Sequence, residues 1–266
     1  MPEFERPTVK LHYEDAGTSS APAPVLVFLH GWCDASPSWE DTAAEFASDY
    51  RCIVPDMRGH GLSGLPLDCC YSAEALSNDV VALCASLGVE QPVLIGHSFG
   101  GYLAAEIGRR FPRFARAIVV EDQPLDLRGF GEQMRALESV IRSPESHMAF
   151  RNGFYESMVT EKMPPAGREV TRRTSDATPI EVALALWAPL FEFTAEEMAE
   201  RSDLLINALT SQPSLSIEHA AAPEYHAALA ANAPYAATRV IESGHWIHLE
   251  RPAEFNAELR DFLSVV

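Results

Sequence analysis

The stretch Val93-Leu94-Ile95-Gly96-His97-Ser98-Phe99-Gly100-Gly101-Tyr102 decides how the rest of the chain is read. Three apolar residues of a buried strand run straight into G-x-S-x-G, and Leu103, Ala104, Ala105 and Ile107 continue at helical spacing. A strand that turns so tightly into a helix leaves no room for a Cβ at Gly96 or Gly100, and it holds Ser98 at the tip in a strained conformation with its hydroxyl exposed. The pattern predicts a nucleophile elbow, with Ser98 as the first candidate catalytic residue.

Working outward, Pro24-Val25-Leu26-Val27-Phe28-Leu29 is a continuous apolar run, as expected of a parallel strand covered on both faces, and it ends in His30-Gly31-Trp32-Cys33. His30 reads as a brace for that loop. Before it, Thr8 to Glu14 alternates like a half-exposed strand, with a turn over residues 15–20. Arg51 to Pro55 is another strand, followed by a glycine-rich corner, Asp56 to Ser63, where Asp56 and Arg58 are placed to pin loops together. Leu76, Val80 and Leu83 give residues 72–87 helical spacing, with Gly88 as a stop.

Beyond the elbow, Ala117 to Val120 predicts a buried strand ending in Glu121-Asp122-Gln123-Pro124. A carboxylate at the carboxyl end of a parallel strand lies where open α/β sheets build their sites, so Asp122 is the candidate acid and Glu121 the alternative one register away. Residues 125–205 change character: helical segments rich in Met, Phe and Arg, broken at Pro144, Pro164-Pro165 and Pro179, predict a helical cap. Residues 1–124 and 206–266 would then form the core, with the cap inserted between strands 6 and 7. Gln212 to Ile217 and Thr238 to Glu242 are the last strands, and Ser243-Gly244-His245-Trp246 precedes a closing helix from Pro252 to Phe262.

The formal net charge is −18 and the isoelectric point about 4.8, a balance that repels phosphate backbones and anionic lipid and so argues against nucleic-acid and membrane partners. No apolar run approaches the roughly 20 residues of a membrane span. Five cysteines without C-x-x-C or Cys/His clustering point to reduced thiols in the cytoplasm and to no metal site. Oligomeric state is not legible in the sequence.

His30-Gly31-Trp32, Arg58-Gly59-His60-Gly61, the elbow and Gly244-His245 together resemble the α/β-hydrolase fold across nearly the whole chain outside the cap. The resemblance implies a mostly parallel eight-stranded sheet flanked by helices, a base at His245, and an oxyanion hole made by the N–H groups of Trp32 and Phe99. His248 is then a packing residue. Members of this fold commonly carry their acid after the strand near Ile217; that loop has no Asp here, only Glu218 and Glu224, which favours Asp122 and the order Ser98, Asp122, His245.

A narrower resemblance, carried by His30-Gly31-Trp32-Cys33, Asp122 and Pro223-Glu224-Tyr225, is to the cofactor-independent 2,4-dioxygenases of 3-hydroxy-4(1H)-quinolones. It implies a small apolar aromatic substrate, O2 as co-substrate, no cofactor, and a pocket to which His97, Trp187 and Trp246 contribute. Phe99 and Asp34 depart from that family's pattern. The other chemistry open to the same residues is serine-hydrolase attack by Ser98 on an ester.

Overall fold

In a computed structural model the described residues are 2–17 and 24–266, so residues 18–20 of the predicted turn lie outside them. Eight strands form one sheet: β1 (Glu3–Glu5), β2 (Lys10–Ala16), β3 (Val25–Leu29), β4 (Arg51–Pro55), β5 (Val93–His97), β6 (Ala117–Glu121), β7 (Ser214–Glu218) and β8 (Ala236–Val240). Their spatial order is β1-β2-β4-β3-β5-β6-β7-β8. β1 and β2 pair antiparallel, β2 meets β4 antiparallel, and every other pairing is parallel. This is the α/β-hydrolase fold.

The alternation of the strands explains why their sequences read as unbroken apolar runs. Val27, Leu29, Ile53, Leu94, Ile118 and Val120 face one hydrophobic layer, while Leu26, Phe28, Val93, Ile95, Val119 and Ile217 face the other. The first layer is covered by α2 (Ala73–Ser86) and α3 (Phe99–Arg110), the second by α1 (Glu40–Phe46) and α12 (Pro252–Leu263). Ser72 caps α2 by accepting the Ala75 N–H at 3.2 Å.

Between β6 and β7 run α4 (Arg128–Ala136), α5 (Glu138–Arg142), α6 (His147–Met158), α7 (Pro165–Ala177), α8 (Ile180–Glu192) and α9 (Ala195–Ala208); α10 (Pro223–Asn232) and α11 (Ile247–Glu250) complete the set. The expected cap limit at residue 205 falls inside α9. That helix opens with a capping box at Thr194 and Glu197 and packs along α3 as well as α4, while Met198 and Arg201 line the cavity, so it joins the cap to the layer flanking the sheet. The last strand is also displaced: β8 starts at Ala236 and ends at Val240, because edge pairing with β7 through Glu218 and Val240 sets its register where the sequence pattern is weak.

Candidate active site

The elbow is built as its glycines require. A Cβ on Gly96 would stand 2.2 Å from the Gly100 carbonyl oxygen, and one on Gly100 would stand 2.1 Å from that of Leu29. Ser98 has φ 51° and ψ −123°, and its N–H donates to Glu121 O at 2.8 Å. Cys33 and Asp122 share the left-handed backbone, with φ of 55° and 50°. Each such residue costs on the order of 1–3 kcal/mol, and all three follow the carboxyl ends of β3, β5 and β6. Among the described residues neither the Trp32 nor the Phe99 N–H has a hydrogen-bond partner, as an oxyanion site requires.

Asp122 accepts from His245 Nδ1 at 2.5 Å through Oδ2. Its Oδ1 accepts from the backbone N–H of His219 at 2.9 Å and from His219 Nδ1 at 2.7 Å. Burial pushes the Asp122 carboxyl up, but the hydrogen bonds from His219 and His245 and the charges they carry outweigh it and hold the group well below the usual carboxylate range. Ser98 Oγ and His245 Nε2 make no hydrogen bond within the protein's described residues. Both face the cavity.

The alternative acids are otherwise engaged. Glu121 is fully buried, and both its oxygens lie 2.9 Å from His248 Nδ1, with the His248 N–H on Oε1 at 2.8 Å. Trp39 stacks on that imidazole at 4.0 Å, which makes His248 the packing residue expected. Glu224 is exposed on α10. Glu218 is buried in the cavity wall, where desolvation and then the Asp122 charge push its carboxyl up to about 8.

The bracing roles hold. His30 Nε2 accepts from Met57 N at 2.9 Å while Nδ1 lies 2.9 Å from Gly31 O, which fixes a neutral ring with its proton on Nδ1. Asp56 accepts from Ser36 N and Leu62 N at 2.7 and 2.8 Å. Arg58 grips Asp79 through two bonds of 2.7 and 2.9 Å.

His97 lines the cavity as expected, but its imidazole is 1% exposed and its Nε2 lies 3.1 Å from the His245 carbonyl, so its polar edge also holds the histidine loop. Desolvation and the neighbouring His245 and His248 rings lower its basicity strongly, leaving it neutral. Trp246 lines the cavity, and its Nε1 points to Asp34 Oδ2 at 3.4 Å. Asp34 also accepts from Thr174 of α7 at 3.0 Å, tying the Trp32 loop to the cap.

The cavity encloses about 830 Å³ between sheet and cap. Its cap side is aromatic: Trp187 stacks on Trp32 at 4.0 Å and meets Phe130 and Phe154 edge-on at 5.7 and 5.5 Å. Trp32 Nε1 donates to Ala183 O at 3.0 Å, so the residue offering an oxyanion donor also anchors α8. Among the lining residues not foreseen are His219 and Arg201. His219 sits just past the end of β7, where the strand-end rule that singled out Asp122 applies equally. Arg201, whose Nη2 donates to Tyr102 Oη at 2.8 Å, carried no sequence signal because it reads as one more helix-surface arginine. Among the described residues no group of three or more His, Cys, Asp or Glu side chains is placed to hold a metal ion, and no helix is long and apolar enough to cross a membrane.

A mostly parallel sheet with an elbow serine, two free N–H groups and a carboxylate-held histidine defines the class of protein. The alpha/beta hydrolase family model matches residues 26–258, and the chain belongs to that family. Among curated proteins it is similar to epoxide hydrolase 1 of Caenorhabditis elegans, 30% identical over 112 residues that make up 42% of this chain and 27% of the relative. In the first three such relatives the matched stretch spans between 27% and 38% of their length. Among solved structures it is similar to Est816, described as an N-acyl homoserine lactone degrading enzyme, at 26% identity, with a TM-score of 0.77 and 98% and 100% of the two chains covered. It also superposes on an AqdC variant, described for recognition and ring-cleavage of the Pseudomonas quinolone signal, with a TM-score of 0.83 over 100% and 99% of the chains, at 22% identity. At that identity the likeness concerns the fold.

Proposed function

We propose that the protein is a cofactor-independent dioxygenase that opens the ring of a 2-alkyl-3-hydroxy-4(1H)-quinolone, releasing carbon monoxide and an N-acylanthranilate. The observation that carries this reading is a base without a nucleophile attached: His245 is fixed by Asp122, and its Nε2 meets an aromatic cavity of about 830 Å³ without hydrogen-bonding Ser98. The superposition on the quinolone-cleaving AqdC variant supports it.

His245 takes the proton of the substrate 3-hydroxyl, and the Trp32 and Phe99 N–H groups hold the negative charge that spreads to the 4-oxygen. The electron-rich anion reduces O2. The resulting peroxide bonds C2 and closes on C4; breaking the O–O bond and both C–C bonds of C3 expels that carbon as carbon monoxide. Both oxygen atoms stay in the acyl and carboxylate groups, so substrate plus O2 balances product plus carbon monoxide. The aromatic walls keep water from the anion, and Ser98 serves as a hydrogen-bonding group.

The second reading is a serine hydrolase, favoured by the strained Ser98 backbone and by the likeness to Est816. Oxygen uptake and carbon monoxide release, measured on purified protein with the quinolone and a metal chelator, test the first. Matched uptake and release are expected; absence of both, with nitrophenol freed from a short nitrophenyl ester, overturns it. Ser98→Ala separates the roles further. As a nucleophile its loss costs on the order of a million-fold in kcat, whereas as a binding group it costs far less than His245→Ala.

A further inference from the structure

The loop after β7 brings a histidine to the acid on β6. His219 gives Asp122 Oδ1 two donors, its N–H at 2.9 Å and its ring Nδ1 at 2.7 Å, and leaves Oδ2 to His245 at 2.5 Å. Two bonds from one residue to one oxygen prevent the carboxylate from rotating about its Cβ–Cγ axis. That matters at a residue whose own backbone, at φ 50°, is strained.

We propose that His219 is a positioning residue which, as a cation, fixes Asp122 and shares its charge, so that His245 remains an available base near neutral pH. The proposal rests on the reading of Asp122 and His245 as acid and base, which ring cleavage and ester hydrolysis have in common.

A lone carboxylate 2.5 Å from an imidazole favours the imidazolium and thereby disarms the base. A second cation on the opposite oxygen counters this, since two histidines compete for one negative charge. Both carboxylates facing His219 act in the same direction on its ring, and a protonated His245 opposes them. The hydrogen bond to Asp122 raises the His219 pKa most; partial burial opposes it, and the charges of Asp122 and of Glu250 on α11 add to it. Glu250 is itself held by Thr160 Oγ1 at 2.6 Å and Gly244 N at 2.9 Å. Glu218, the preceding residue, is the protonated carboxyl of the cavity wall and adds no charge at neutral pH. With 48% of its side chain exposed, His219 exchanges protons freely with solvent.

The test uses His219→Ala and His219→Asn in the full chain. The first readout needs no turnover: the titration of the His245 ring, followed by long-range 1H–15N NMR, moves to higher pH by about one unit in both variants, as loss of a nearby cation requires. The second is the pH profile of kcat/KM, measured on the quinolone or on a nitrophenyl ester. Its acidic limb moves up with the NMR midpoint in both variants, and Asn, which can still donate a hydrogen bond, restores most of the kcat that Ala loses. An unmoved midpoint overturns the proposal whatever the substrate proves to be. A fall in kcat with an unmoved limb also overturns it, by reducing His219 to a structural contact. Failure of the quinolone alone touches only the reading of the reaction.

Discussion

Three carboxyl groups stand side by side at the ends of β6 and β7, and their partners decide what each can do. Glu121 is spent on His248, Asp122 is shared by two histidines, and Glu218, 2% exposed, accepts from the Ser216 hydroxyl at 2.8 Å and abuts the Asp122 carboxylate. Glu218 forms no ion pair among the described residues, and burial followed by the Asp122 charge lifts its pKa from an ordinary 4.5 to about 8. The sign of its effect on stability follows. Between about pH 4.5 and 8 the unfolded chain has lost this proton while the folded chain keeps it, so stability falls as pH rises through that window. Glu218→Gln removes the penalty and retains the acceptor for Ser216. Urea unfolding at pH 5 and at pH 8 should therefore show the variant gaining on the parent as pH rises; a constant difference would mean that Glu218 ionises normally.

At the scale of elements, the contact between β3, β5 and α3 sets the geometry of the elbow, and glycine substitutions gauge it. Gly100→Ala would drive a Cβ to 2.1 Å from Leu29 O and 2.7 Å from His30 O, both backbone atoms that cannot swing aside. The expected loss is about 3 kcal/mol, at the upper end of ordinary overpacking. Gly129→Ala in α4, with nothing within 4 Å of the added atom, should instead stabilise by about 0.5–1 kcal/mol through helix propensity. Chemical denaturation of the two variants reads both signs. The same contrast explains what the sequence made legible. β3, β5 and β6 were readable because strands buried on both faces leave no polar residue to blur the run. β8, intermediate to exposed along its length, carries no such pattern, and its register comes from its neighbour. α9 read as cap alone because its amphipathic pattern is the same whether it covers a pocket or a sheet. At the candidate site, the positions of Ser98 and Asp122 were legible at strand ends, as His219 past β7 equally was, and His245 through the resemblance; that one Asp122 carboxylate takes both His219 and His245 depends on contacts between residues far apart in sequence.

For the whole molecule the governing quantity is the charge of −18. Most arginines on the surface are already paired, as Arg51 with Asp15, Arg239 with Glu258 and Arg260 with Glu45 and Asp49, so the excess carboxylates repel one another over the entire surface. Raising the ionic strength from about 0.01 M to about 0.15 M shortens the screening length from about 30 Å to about 8 Å. Thermal unfolding should accordingly move to higher temperature across that range. The same field bears on the reaction. Under the proposed ring cleavage, a neutral quinolone would enter without electrostatic work, while its product, a carboxylate, would leave down a repulsive potential. In a salt series kcat/KM for the quinolone should stay flat, and inhibition by added N-acylanthranilate should strengthen as salt relieves the repulsion. Inhibition that weakens with salt would instead mean that the local positive charge of Arg201 and His219 on the cavity wall dominates over the global field, and that the product is held there before release.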